Sequence, residues 1–193
     1  MFIELTDHLR CTVGHDESFL VLLPGTMDGR RVVTGTLGCP VCGRVVELTD
    51  GVADFGSGMP AADATTLTAD AVHAFLGLGG PGGYVALAGA ATALASELVA
   101  RQPGVRLVLI NPPIGTPDSP EASVLRAGIF PLNSSSMRGV VLGRDLAVDS
   151  RWAADGVRAV LPGLRIVAEG GEPPGGVEVL ARTDGCWVGR RTS

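Results

Sequence analysis

Four metal-capable side chains within the first 42 residues constrain this chain more than any other feature. Cys11-Thr12-Val13-Gly14-His15 is followed, 23 residues on, by Cys39-Pro40-Val41-Cys42-Gly43. Two close-spaced pairs of nitrogen and sulfur donors on tight turns supply the four-coordinate tetrahedron that structural zinc requires. The ligand set read from the spacing is Cys11, His15, Cys39 and Cys42. His8, three residues ahead of Cys11, is a rival nitrogen; the three-residue spacing of Cys11 and His15 on one turn favours His15. A redox pair at Cys39 and Cys42 is the alternative. Such a pair should open a helix in a thioredoxin-like unit, whereas here it leads into the strand pattern Arg44-Val45-Val46-Glu47-Leu48. With every position filled by protein, the metal is expected to be structural rather than catalytic. It would stabilise a segment too small to hold itself together by its own core.

Composition narrows the function classes. The chain of 193 residues is 46% hydrophobic and 18% charged, which is enough apolar material to fold. No apolar run is long enough to cross a bilayer, and the start Met1-Phe2-Ile3-Glu4 lacks the basic and apolar regions of a secretory leader. The expectation is a cytoplasmic protein without a membrane partner. A net charge of −5 argues against a general electrostatic grip on nucleic acid. All 15 basic residues are Arg, so Schiff-base and P-loop lysine chemistry are both excluded.

Three segments follow from the pattern: residues 1–56 as a zinc ribbon, 57–63 as a linker and 64–193 as a second unit. In the ribbon, 18–23, 31–37 and 44–48 read as strands, with turns at 24–29 and at Asp50-Gly51. Asp54-Phe55-Gly56-Ser57-Gly58-Met59-Pro60 breaks periodicity. The second unit alternates. Helices are expected at 66–76, at 90–101, in a short turn capped by Ser119-Pro120, and after the Asp149 cap with Ala153, Val157, Val160 and Leu161 inward. Buried strands are expected at 84–88, 105–110, 139–142 and 164–168, and a closing hairpin at 177–181 and 186–189 around Asp184-Gly185. The fold class is therefore α/β: a small N-terminal β ribbon, then a Rossmann-like, mostly parallel sheet with helices on both faces.

Two family resemblances are carried by these residues. The run Leu5-Thr6-Asp7-His8-Leu9-Arg10-Cys11, then His15, then Gly38-Cys39-Pro40-Val41-Cys42-Gly43, ending in Glu47-Leu48-Thr49-Asp50-Gly51-Val52-Ala53, resembles the small zinc domain of Trm112-like proteins. His15 stands where many relatives have cysteine. Proteins of that family are partners and activators of methyltransferases, so the resemblance implies a methyltransferase or another protein as partner. The second unit resembles the class I S-adenosylmethionine-dependent methyltransferases. The likeness rests on Val157-Arg158-Ala159-Val160-Leu161-Pro162-Gly163-Leu164 and on Phe130-Pro131-Leu132-Asn133 ahead of Arg138-Gly139-Val140-Val141-Leu142.

That resemblance also shows departures. The family's glycine-rich loop after its first strand, which lets backbone approach the cofactor, reads here Leu87-Ala88-Gly89-Ala90-Ala91-Thr92, with a single glycine. Its acid at the end of the second strand is replaced by Asn111-Pro112-Pro113. If S-adenosylmethionine binds, the resemblance places it on Ala88, Gly89 and Ala90, with Asn111 at the ribose and Asn133 near the adenine edge. The loop Gly77–Gly83 precedes a strand instead of following one, so it is read as a plain connection rather than a phosphate cradle. No catalytic residue is assigned. The expected function is a zinc-binding, methyltransferase-fold protein, degenerate and non-catalytic or weakly cofactor-binding, acting as a scaffold or interaction partner. An active methyltransferase and an activating subunit of a separate methyltransferase are the alternatives.

Overall fold

Alternation of inward and outward side chains builds the first unit. The computed structural model describes residues 1–61, 64–183 and 185–192. A 3₁₀ segment at Ile3–His8 leads into β1 (Val21–Pro24), β2 (Met27–Asp28), β3 (Arg31–Val32), β4 (Gly35–Gly38), β5 (Val45–Thr49) and β6 (Val52–Asp54). In β5, Val46 and Leu48 point into the core while Val45, Glu47 and Thr49 face out. That is the period of two a half-buried strand demands. β6 is absent from the sequence-based reading, which ended the ribbon in a turn at Asp50-Gly51.

The second unit contains α1 (Ala69–Leu76), β7 (Tyr84–Ala88), α2 (Ala95–Arg101), β8 (Arg106–Ile110), β9 (Ala122–Arg126), β10 (Met137–Leu142), α3 (Arg144–Ala147), α4 (Ser150–Ala159), β11 (Val160–Ala168), β12 (Val177–Arg182) and β13 (Trp187–Arg191). Thr68 caps α1 by accepting from the Ala71 N–H, so the helix begins later than the apolar spacing from residue 66 suggests. The expected helix at 90–101 splits, with a 3₁₀ turn at Gly89–Leu94 ahead of α2. The helix expected after Ser119 does not form. The Ser119 hydroxyl accepts from the Glu121 and Ala122 N–H groups, and the chain then enters β9, whose first four residues are all buried. Val160 and Leu161, read as the end of a helix, begin β11 instead. Of the expected hairpin turn, Asp184 lies outside the described residues, as do Ala62 and Asp63 of the expected linker.

One 11-stranded sheet runs β1-β4-β5-β6-β9-β8-β7-β10-β11-β13-β12. From β6 to β11 the neighbouring strands are parallel, and β13 inserts antiparallel between β11 and β12. The ribbon is joined to the body through β6 and β9, in register Val52↔Val124, Ala53↔Leu125 and Asp54↔Arg126. Two apolar cores cover the two faces. One, beneath α1 and α2, includes Val72, Leu87, Leu109 and Val124. The other combines ribbon residues Leu5, Leu37, Val46 and Phe55 with body residues Ile110, Leu125, Phe130 and Trp152. Ion pairs Arg10–Asp155 (3.2 Å) and Glu17–Arg158 (2.7 Å) also link ribbon and body. The glycine-rich loop is tied by Arg138, whose guanidinium donates to the carbonyls of Gly79, Gly80, Pro81 and Gly82. His73 sits at the core edge against Gln102, at 2.9 Å. Among the described residues, no helix is long and apolar enough to cross a membrane.

A core shared between ribbon and body should unfold as one unit. Leu125→Ala deletes a fully buried side chain at the junction and is expected to cost about 2–5 kcal/mol. In urea, tryptophan fluorescence from the body and hydrogen exchange of β5 should report the same midpoint and shift together.

A candidate metal centre and the crevice at the strand ends

The metal centre is assembled from two turns. The Cys39 N–H donates to the Arg44 carbonyl and the Gly43 N–H to the Cys39 carbonyl, folding residues 39–44 into a knuckle. The Cys11 N–H donates to the Ser18 carbonyl and so fixes the opposing turn. The ligand atoms of Cys11, His15, Cys39 and Cys42 lie within 4.8 Å of one another. Cys11 Sγ and Cys42 Sγ are 3.7 Å apart, and Cys39 Sγ and His15 Nε2 are 3.5 Å apart. In a regular tetrahedron with usual zinc bond lengths, S···S edges are about 3.8 Å and S···N edges about 3.5 Å. These two edges match a zinc tetrahedron, and the remaining edges, all within 4.8 Å, need at most about 1 Å of contraction to close around the metal. The other imidazole nitrogen, Nδ1, stands 2.6 Å from the Asp16 carbonyl, which orients the ring and leaves Nε2 for the metal. His8 is not part of the group; its ring packs edge-on against Tyr84 at 5.1 Å.

The electrostatics of the metal-free cluster are uneven. Burial raises the Cys39 thiol, but the Cys42 and Val41 N–H groups and the neighbouring thiols outweigh it and lower its pKa to about 6. Burial, together with Cys39 and Cys42, raises Cys11 to about 11. The Asp16 carbonyl, then Cys42 and Cys39, raise His15 to about 9.

The strand order sets where a cofactor would bind. In an open doubly wound sheet the crevice lies at the carboxyl ends of the strands where the winding direction reverses. Here that point is between β7 and β10, at Ala88, Gly89 and Gly143. Gly89 adopts φ +61°, and a Cβ there would collide with the Asp145 carboxylate. Asp145 Oδ1 accepts from the Ala90 N–H at 3.0 Å, and the Gly143 N–H donates to the Ala88 carbonyl at 2.9 Å. Ala88, Gly89, Ala90, Ala91 and Thr92 are all buried. The turn that a cofactor would approach is thus occupied by a carboxylate from α3.

Asn111 follows β8 with a left-handed φ of 57°, which asparagine tolerates better than most residues. Its side chain bonds to backbone at both ends: Nδ2 donates to the Ala127 carbonyl at 2.8 Å, and Oδ1 accepts from the Ala127 N–H at 2.9 Å. Gly58 lies so close that a Cβ would strike Asn111 Oδ1 at 2.6 Å. The Ala61 N–H donates to the Asn111 carbonyl at 3.0 Å, so the segment after β6 lies across the ends of β8 and β9. Further on, the fully buried Glu169 at the end of β11 accepts from Thr65 Oγ1 (2.8 Å), Thr66 N–H (2.9 Å) and Thr66 Oγ1 (2.6 Å). Asn133, expected near an adenine, precedes β10 and so lies towards the amino ends of the parallel strands, away from the crevice at their carboxyl ends. Its Nδ2 donates to the Asp7 carbonyl at 3.1 Å and its N–H to the His8 carbonyl at 2.8 Å. The structure therefore brings Ala88, Gly89 and Ala90 together, engages Asn111 with Ala127, and separates Asn133 from both. Asp145 and Glu169 carried no sequence signal beyond an acid shortly after a buried strand.

No protein-family model and no curated protein matches the sequence. Similar solved structures include the antibiotic-resistance methyltransferase Kmr, at 11% identity over 70% of this chain and 98% of that one, with a TM-score of 0.44. A protein assigned as a methyltransferase of an antibiotic biosynthesis pathway in Anabaena variabilis ATCC 29413 is 18% identical over 52% of this chain, with a TM-score of 0.42; the match spans 43% of that protein. A chain from the Haloferax volcanii complex of the Trm112 methyltransferase activator with a methyltransferase is 15% identical over 52% of this chain and 50% of its own, with a TM-score of 0.41. At these overlaps the likeness extends to the general sheet-and-helix layout alone.

Two substitutions test the contacts at Gly89 and Glu169. Gly89→Ala forces a side chain into both a left-handed backbone and the Asp145 carboxylate, and should lower stability by about 1–3 kcal/mol in urea denaturation. Glu169 is held below its usual range: burial raises it, but the Thr66 and Thr65 bonds and Arg144 outweigh burial. A lowered folded-state pKa means that its contribution is present above the ordinary value of 4.5 and is lost as pH falls through the lowered one. Glu169→Gln should therefore cost about 1–3 kcal/mol at pH 7 and flatten the acid limb of the stability curve.

Proposed function

We propose that this chain is a zinc-stabilised scaffold on a methyltransferase-like fold, whose cofactor seat is filled by its own side chains and which carries out no methyl transfer. The observation that carries this reading is the Asp145 carboxylate on the Gly89 turn, hydrogen-bonded to the Ala90 N–H. A carboxylate there takes the donor that an incoming anionic or polar cofactor group would need. The engagement of Asn111 with Ala127 supports the same reading, because this buried asparagine already commits one donor and one acceptor position to backbone. Zinc would be held by Cys11, His15, Cys39 and Cys42; its part is to cross-link the two turns of the ribbon, with no coordination position left for chemistry. Three cysteine ligands suit a reducing compartment such as the cytoplasm. As a scaffold, the protein would act through a protein partner, a methyltransferase being the one that the Trm112-like resemblance suggests.

Isothermal titration with S-adenosylmethionine should give no heat of binding up to millimolar ligand; micromolar affinity would refute the proposal. Elemental analysis should find one zinc per chain. Cys39→Ser or chelation should release the metal and lower the melting temperature of ribbon and body together, since the two share one core.

A further inference from the structure

We infer that the bare outer face of the ribbon is the docking site of an amphipathic helix from a partner protein, apolar along one stripe and flanked by Arg or Lys. The face continues the sheet surface that α1 and α2 cover. Paired rows run Val124–Val52, Arg126–Asp54–Glu47–Thr36–Leu23 and Val45–Gly38–Val21 across β9, β6, β5, β4 and β1. A right-handed crossover from β8 to β9 would lay a helix on the α2 side of the sheet. Residues 111–121 form a loop there instead. What remains beside α2 is a groove of about 330 Å³ lined by Val99, Leu109, Pro117, Glu121 and Ala122. Beyond it the ribbon face carries Phe19, Val21, Leu23 and Val45 at 64, 61, 72 and 56% exposure. Single exposed apolar residues are ordinary, but several on adjoining strands of one face mark an interaction surface.

Charge selects the occupant. Glu47 lies in the face, Asp54 beside it and Glu121 on the wall of the groove, and among the described residues none of the three has an ion-pair partner. Arg126, across from Asp54, makes no ion pair with it. Glu47 and Asp54 stand side by side in the ribbon's part of this face, so a second copy laid face to face would bring carboxylates against carboxylates. A helix with basic flanks meets both the apolar strip and the unpaired carboxylates. Strands about 4.8 Å apart make β5, β4 and β1 wide enough to seat one helix about 10 Å in diameter. This assignment is independent of whether the cofactor seat is closed.

Two fluorescein-labelled synthetic helices, identical in their leucine stripe but flanked by Arg in one and Glu in the other, test the inference by fluorescence anisotropy with the zinc-loaded protein. The Arg-flanked helix should bind at least about tenfold tighter. Leu23→Asp, at a side chain too exposed to disturb folding, should abolish that binding while circular dichroism and zinc content stay unchanged. Glu47→Arg should shift the preference towards the Glu-flanked helix. Equal affinity for the two helices, no binding of either, or binding indifferent to Leu23→Asp would each overturn the inference. So would a dimer in sedimentation equilibrium that Leu23→Asp dissociates, because the face would then belong to a second copy.

Discussion

Three rungs of parallel pairing between β6 and β9 determine how the molecule is put together. Without them the ribbon would be a small antiparallel module with little core of its own, and the body would expose the edge of β9. With them, Leu37 and Val46 of the ribbon share one apolar cluster with Ile110 and Leu125 of the body. Backbone pairing alone contributes little net free energy per bond. Its effect is to bring together apolar surfaces whose burial is worth much more. The register also fixes which ribbon face looks inward, since slipping by one residue would turn Ala53 out and Val52 and Asp54 in.

The same junction bears on the cofactor seat. A chain leaving β6 at the carboxyl end of the sheet has to cross the ends of neighbouring strands before it can enter α1. Phe55 and Gly56 bond to Arg126 and Gly128, Ala61 to Asn111, and Thr65 and Thr66 to Glu169. This path follows the edge on which doubly wound folds hold their ligands. Fusing a ribbon to the third strand of the winding therefore bears directly on what the crevice can hold. Asp145 then takes the Ala90 N–H at the switch point.

Much of this layout was legible from residue order alone. The zinc-type cluster could be read because Cys and His are rare and their spacing is tied to turn geometry. Buried parallel strands such as Tyr84–Ala88 and Arg106–Ile110 show as apolar runs. What escaped depends on distant partners. Ala122–Arg126 is too short to be told from a helical turn until β6 and β8 pair with it on either side. β6 looks like the tail of a turn because its partner lies 72 residues further on. Asn111 and Asn133 were both readable as polar groups near strands, but only the fold shows which backbone each one satisfies. Asp145 and Glu169 gave no pattern at all, because a single acid signals nothing until its donors are known.

The Gly79–Gly82 loop shows how the same composition can serve opposite ends. A phosphate nest points its N–H groups inward and so presents positive potential to a guest. This loop is turned the other way, with its carbonyls converging on one guanidinium. Its concavity is negative, and its guest is covalently part of the protein. An anion could enter this concavity only after the loop had everted and Arg138 had left, so the stretch of sequence that most suggests a nucleotide presents carbonyls where a phosphate would need N–H donors.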